Sequence, residues 1–211
     1  MNNSMVSFHN NPELKGQLVA NLQQHKELDQ FIQGSYWNDG KGCAVGCSIH
    51  DFGGNTSDHK EYERLFGIPR SLARIEDGIF EGLSVEDSKW WPIAFSEAIP
   101  VGVDLSGVVD KFMVYLLEGV KQYAKDDGVL AIQAVIDLYQ RKITGEEIDK
   151  KEWVEARQAA ADAAAYAAAY AAAYAADAAA YAAAYADDRQ QSRKRQALKL
   201  IEILKSSHAG A

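Results

Sequence analysis

Cysteine, proline and basic charge are all scarce in this chain of 211 residues. Two cysteines exclude a disulfide-dense scaffold, and their closeness in sequence suits a reducing compartment. Lys and Arg number 22 against 30 Asp and Glu, a formal net charge of −8. That balance excludes a general nucleic-acid binder, which needs clustered cations to neutralise phosphates. Long apolar runs are missing too. The alanine-rich stretch 156–186 is interrupted by Tyr and Asp, and alanine is only weakly apolar, so no membrane span is expected. The opening residues Met1 to Phe8 carry neither a charged n-region nor an apolar h-region, so no export signal is expected and the cytoplasm is the expected location. Sustained strand alternation is absent, which leaves an all-α fold.

Helix signals, by contrast, recur along the whole chain. Asn11-Pro12-Glu13 combines a capping side chain, a proline suited to the first turn and an acid at the positive end. Leu14, Leu18, Leu22, Leu28, Phe31 and Ile32 then follow a broadly helical spacing. Residues 34–57 form a glycine-rich loop region, with a short helix through Ala44–Ile49. Asp58 to Glu61 has capping-box spacing, Pro69 opens a stronger helix, and Ser84 and Pro92 open two more. Val108, Val109, Phe112, Val114, Leu116 and Leu117 predict a central core helix, and Leu130 to Tyr139 predict another. Thr144 to Glu147 has capping-box spacing again.

These signals divide the chain into a helical domain, 1–145, and a long Ala/Tyr-rich helix or helical hairpin, 146–211. Between Gly145 and Gly210 there is neither glycine nor proline. One helix over 146–205 would be about 90 Å long at 1.5 Å per residue. Such an element projects, folds back near Asp187-Asp188-Arg189, or packs on a partner chain.

Within 156–186, 22 of 31 residues are alanine. Asp162, Tyr166, Tyr170, Tyr174, Asp177, Tyr181, Tyr185 and Asp188 follow one another at steps of three or four, which holds them on one stripe. Alanine needs little tertiary help to be helical. The tyrosines form a ridge with apolar bodies and polar tips. Such a ridge packs against the rest of the chain, forms a homo-oligomer interface, or receives a partner.

The richest chemistry lies in Gly40-Lys-Gly-Cys-Ala-Val-Gly-Cys-Ser-Ile-His50. Four readings stand side by side. In a helix, Cys43, Cys47 and His50 share a face, and with His59 they supply four ligands for a tetrahedral zinc site. No other cofactor is expected. A thiol of Cys43 or Cys47 near a helix start, with His50 or His59 as base, would suit nucleophilic catalysis, although no protease signature surrounds it. Lys41, Gly42 and Gly46, with Arg70 and Arg74 nearby in sequence, would suit capture of a small phosphorylated ligand, although the order of a P-loop is absent. The plainest reading is a tight turn with inert, buried cysteines. Tyr36 and Trp37, just before the segment, are the best candidates for stacking on a base or sugar.

Gly34 to Trp37, Gly40 to Cys47 with His50, Leu65 to Pro69, Leu72 to Asp77, Ile79 to Leu83 and Trp91-Pro92 together resemble a group of uncharacterised phage and prophage proteins of similar length. Members share an Ala-rich, aromatic-spaced C-terminal helix, and similar tails occur in proteins described as immunity proteins. The resemblance implies a mobile-element accessory protein working in a bacterial cytoplasm. Such a protein would bind a host defence factor or sequester a small anionic, nucleotide-like ligand. It supplies no catalytic residue. A cysteine-dependent enzyme and a structural oligomer built on the tyrosine ridge remain the alternatives.

Overall fold

The computed structural model describes residues 5–121, 124, 127–159, 161 and 175–207, with backbone alone considered over 175–188. The fold is all-α, and no strand occurs among the described residues. No helix there is long and apolar enough to cross a membrane. The sequence places a boundary near 145. The chain groups into one unit of Met1–Val108 with Arg189–Ala211, and a second of Val109–Asp188.

The first unit begins with a 3-10 turn, Ser7–Asn10, followed by α1 (Pro12–Glu27). Asn11 caps α1 as expected, its side chain accepting from the backbone N–H groups of Glu13 and Leu14. Ser7 ties the turn to a distant segment. Its backbone N–H donates to the Val103 carbonyl at 2.9 Å, and its hydroxyl accepts from the Val103 N–H at 2.9 Å. Next come α2 (Ala44–His50), α3 (Glu61–Phe66), α4 (Arg70–Gly82), α5 (Val85–Ser88) and α6 (Trp91–Ala98). Ser84 caps α5, and prolines stand at the starts of α4 and α6, as the sequence predicts. The Asp58 box is different. Asp58 closes a local turn onto the Lys60 N–H, and α3 starts at Glu61 without a side-chain cap.

α1 packs on α2 and α6, while α2 also packs on α3 and α4. Leu18, Leu22, Val45, Ile49, Phe66, Leu72, Phe80, Trp91 and Phe95 are buried there. The end of the last helix belongs to the same unit, with Ala197, Leu200 and Leu204 fully buried. Lys194 reaches Asp87 of α5 at 2.7 Å.

α7 (Ser106–Lys121) and α8 (Asp127–Ile143) follow. In α7, Val108 and Phe112 are buried, but Val109, Val114, Leu116 and Leu117 are only half-buried, so it is less central than its apolar content predicts. Within the second unit, Lys142 pairs with Asp110 at 2.9 Å, and the Tyr139 and Trp153 rings meet edge to face at 4.9 Å. Thr144 does not open a helix. Its hydroxyl donates to the Arg141 carbonyl at the end of α8. The capping box lies five residues on: Asp149 accepts from the Lys151 N–H, and Glu152 accepts from the Asp149 N–H. α9 (150–159) begins there.

α10 (Ala175–Ser206) is continuous, so no break occurs at Asp187-Asp188-Arg189. The expectation of a tyrosine interface falls on Tyr166, Tyr170 and Tyr174, which lie outside the described residues. Tyr181 and Tyr185 lie on the helical backbone of α10, with their side chains outside the description.

Candidate functional site

The site is built by the loop that runs from α1 into α2. Its backbone folds on itself: Gly42 donates to the Gln30 carbonyl at 2.9 Å, Ile32 donates to Gly42, and Cys43 donates to Ser35 at 2.7 Å. A tight turn at Asn38–Lys41 closes the excursion, with Asp39 and Gly40 at positive φ. The loop presses the Tyr36 carbonyl onto α2. A Cβ on Gly42 would lie 2.1 Å from that oxygen, and one on Gly46 would lie 1.5 Å from it. These glycines therefore serve close packing. The result is that two sequence neighbours, Tyr36 and Trp37, line different clefts.

Several of the N–H groups that an anion would use are already spent. Gly42 N–H goes to Gln30, Cys43 N–H to Ser35, and Gly46 N–H to the Cys43 sulfur at 3.4 Å. Lys41 and Arg74 are exposed, and Arg70 uses its backbone N–H on Glu63. Neither cleft lining includes Lys41, Arg70 or Arg74. The phosphate cradle expected from the spacing is thus not assembled by these residues.

Both cysteines are free and buried. Cys43 stands at the N-cap of α2, and the Cys47 thiol donates to the Gly42 carbonyl at 3.5 Å. Burial pushes the Cys43 thiol far above its ordinary pKa. Burial, aided by the charge of Asp51, pushes Cys47 to about 12. A nucleophilic thiol needs the opposite shift. His50 is on the surface, stacked on Trp37 with ring centroids 3.8 Å apart. The expected quartet of Cys43, Cys47, His50 and His59 does not gather. Among the described residues, the donor group that converges is Cys43, Asp77 and Glu81, with ligand atoms within 4.8 Å of one another.

The larger cleft, about 370 Å³, is walled by the Trp37–His50 stack. Asn21, Gln24 and His25 from α1 face it, together with Gln30 and Asp51. His25 is only 6% exposed. Its Nε2 is 2.8 Å from Asp51 Oδ2, and its Nδ1 is 2.6 Å from Gln30 Oε1. The His25 and Trp37 rings meet edge to face at 5.7 Å. Both imidazole nitrogens are engaged, so His25 orients Asp51 and Gln30 and leaves no ring nitrogen free for a substrate proton.

The smaller cleft, about 220 Å³, is lined by Tyr36, Cys43, Asp77 and Glu81, with Gly34 and Ser35. Asp77 and Glu81 share a face of α4, four residues apart. His59 Nε2 lies 3.1 Å from Asp77 Oδ2, and the Gly34 N–H donates to Glu81 Oε2 at 2.8 Å. Burial raises the Glu81 carboxyl, the Gly34 hydrogen bond opposes this, and Asp77 adds to the rise.

Next to Asp77 sits Glu76, wholly buried, with neither carboxyl oxygen in a well-formed hydrogen bond. Burial raises its pKa to about 8. The nearby Tyr62 hydroxyl tempers the rise, and the charge of Asp77 adds to it.

Sequence reasoning reached Tyr36, Trp37, Cys43, His50 and His59 but missed His25, Gln30, Asp51, Glu76, Asp77 and Glu81. A signal existed for some of them. His25 falls on the apolar face of α1, three residues after Leu22, and Glu76 falls on that of α4 between Leu72 and Ile79. A polar side chain on a buried helical face demands partners. No known protein family, curated protein or solved structure matches this chain.

Proposed function

We propose that this chain is a phage-type accessory protein that acts by binding, and that its larger cleft holds a nucleobase or nucleoside-like group. The observation that carries the reading is the Trp37–His50 stack beside the His25–Asp51 pair in one cleft. An aromatic wall offers a face to a planar ring. Asn21, Gln24, Gln30 and Asp51 offer the donors and acceptors that read a base edge. The lining holds no Lys or Arg, so recognition falls on the base and sugar, and a phosphate would project outward. The buried, proton-retaining thiols favour binding over cysteine catalysis. The resemblance to phage proteins supplies the setting, in which sequestering a nucleotide-like molecule would blunt a host defence that depends on it.

The test is a calorimetric and fluorescence titration with nucleosides and their 5′-phosphates. Binding should quench tryptophan emission, and nucleoside and nucleotide should bind within about tenfold of each other, since no Lys or Arg lines the cleft. Trp37→Leu should weaken binding by about 1–3 kcal/mol, the usual worth of one base–aromatic stack. If nucleosides and nucleotides leave both the heat and the fluorescence unchanged at millimolar concentration, the reading fails.

A further inference from the structure

We propose that Cys43, Asp77 and Glu81 together bind a borderline divalent metal ion of the zinc class. This site lies in the smaller cleft and does not depend on the nucleoside reading. Its three donors come from two elements, the N-cap of α2 and one face of α4. Their ligand atoms already lie within 4.8 Å of one another. Metal–ligand bonds of about 2.0–2.3 Å set tetrahedral ligand atoms about 3.5 Å apart, so small side-chain rotations suffice.

Each donor is oriented by the scaffold. The Cys43 sulfur accepts from the Gly46 N–H at 3.4 Å. Asp77 Oδ2 is engaged by His59, while Asp77 Oδ1 is buried with no hydrogen-bond partner. Glu81 Oε2 accepts from the Gly34 N–H. This is the outer-shell arrangement that orients ligands around an ion. Cys43 is 1% exposed and the Asp77 side chain 17%, so the group differs from an acidic patch in water. A buried carboxylate oxygen without a donor is costly, and a cation at this point would satisfy it.

The chemistry selects the metal class. One thiolate with two carboxylates is too soft a set for magnesium or calcium, and it suits zinc or cobalt. Ligation by sulfur requires the Cys43 thiol to give up its proton, so binding should tighten as pH rises.

The experiment is a Co²⁺ titration of the chelator-stripped full chain, read by near-ultraviolet thiolate-to-cobalt absorption, followed by Zn²⁺ competition. One equivalent of Co²⁺ should produce the band, and Zn²⁺ should abolish it. Cys43→Ser should lose the band and Cys47→Ser should keep it. Asp77→Asn and Glu81→Gln should each weaken Co²⁺ binding by about tenfold or more. Glu81 is at the surface, so Glu81→Gln remains informative even if Cys43→Ser does not fold. The proposal is overturned if no thiolate band forms, if Cys47→Ser removes it, or if Glu81→Gln leaves cobalt affinity unchanged.

Discussion

Glu76 concentrates the residue-scale physics of this protein. Its carboxyl is fully buried, lacks a well-formed hydrogen bond and keeps its proton up to about pH 8, against 4.5 when free. Between those two values the folded state binds one proton more than the unfolded chain. Stability therefore falls as pH rises through that window, and the loss is complete above the folded pKa. Glu76→Gln removes the titration while keeping the shape. It should flatten the pH dependence and raise stability at pH 9 by a few kcal/mol, on the order set by such a shift. Urea melts of both proteins at pH 6 and pH 9 check this. Equal pH slopes in the two would refute the assignment.

At the scale of elements, α2 exists to hold the loop before it. Its glycine at position 46 leaves room for the Tyr36 carbonyl, and any Cβ there would overlap that oxygen. Gly78, midway along α4, faces open space. The same substitution should therefore have opposite signs. Gly46→Ala should cost about 3 kcal/mol or more through overpacking and should disturb both clefts. Gly78→Ala should stabilise by up to about 1 kcal/mol through helix propensity. Denaturant midpoints measure both, and a harmless Gly46→Ala would show that the loop is not seated as described.

Helix signals explain why most elements were readable in advance. Asn11, Ser84, Pro69 and Pro92 act within a few residues of where they stand, and each marks a real helix end. Capping-box spacing misled at Asp58 and at Thr144. Thr144 precedes Gly145 at φ 90°, which ends α8, so Asp149 takes the capping role. Glycine spacing also says nothing about whether N–H groups are already paired, as those of Gly42, Cys43 and Gly46 are.

At the scale of the whole molecule, distant segments share one unit. The last turns of α10 bury Ala197, Leu200 and Leu204 in the same unit as α1–α6, and Arg193 lies where a Cβ on Gly82 would stand. Leu200→Ala should cost 2–5 kcal/mol, as for other fully buried leucines, and should lower the melting point of the unit that carries both clefts. A calorimetric scan tests this, and an unchanged transition would show that the helix end is not part of that core. The two clefts share no lining residue, so Trp37→Leu should spare cobalt binding and Glu81→Gln should spare nucleoside binding.

What the sequence alone determined is local. Alanine content, caps and the lack of strand alternation dictate helices, because helix formation depends on neighbours three or four residues away. The stretch 34–57 announced itself by composition as the irregular, chemistry-bearing part. Tertiary structure decided the rest. It set His25 against Asp51 across 26 residues and His59 against Asp77 across 18, and it gathered Cys43 with Asp77 and Glu81. It also turned two promising thiols into buried, proton-retaining groups. Such pairings depend on which helix faces pack together and on how much water they exclude, and neither is carried by the spacing of residues along one segment.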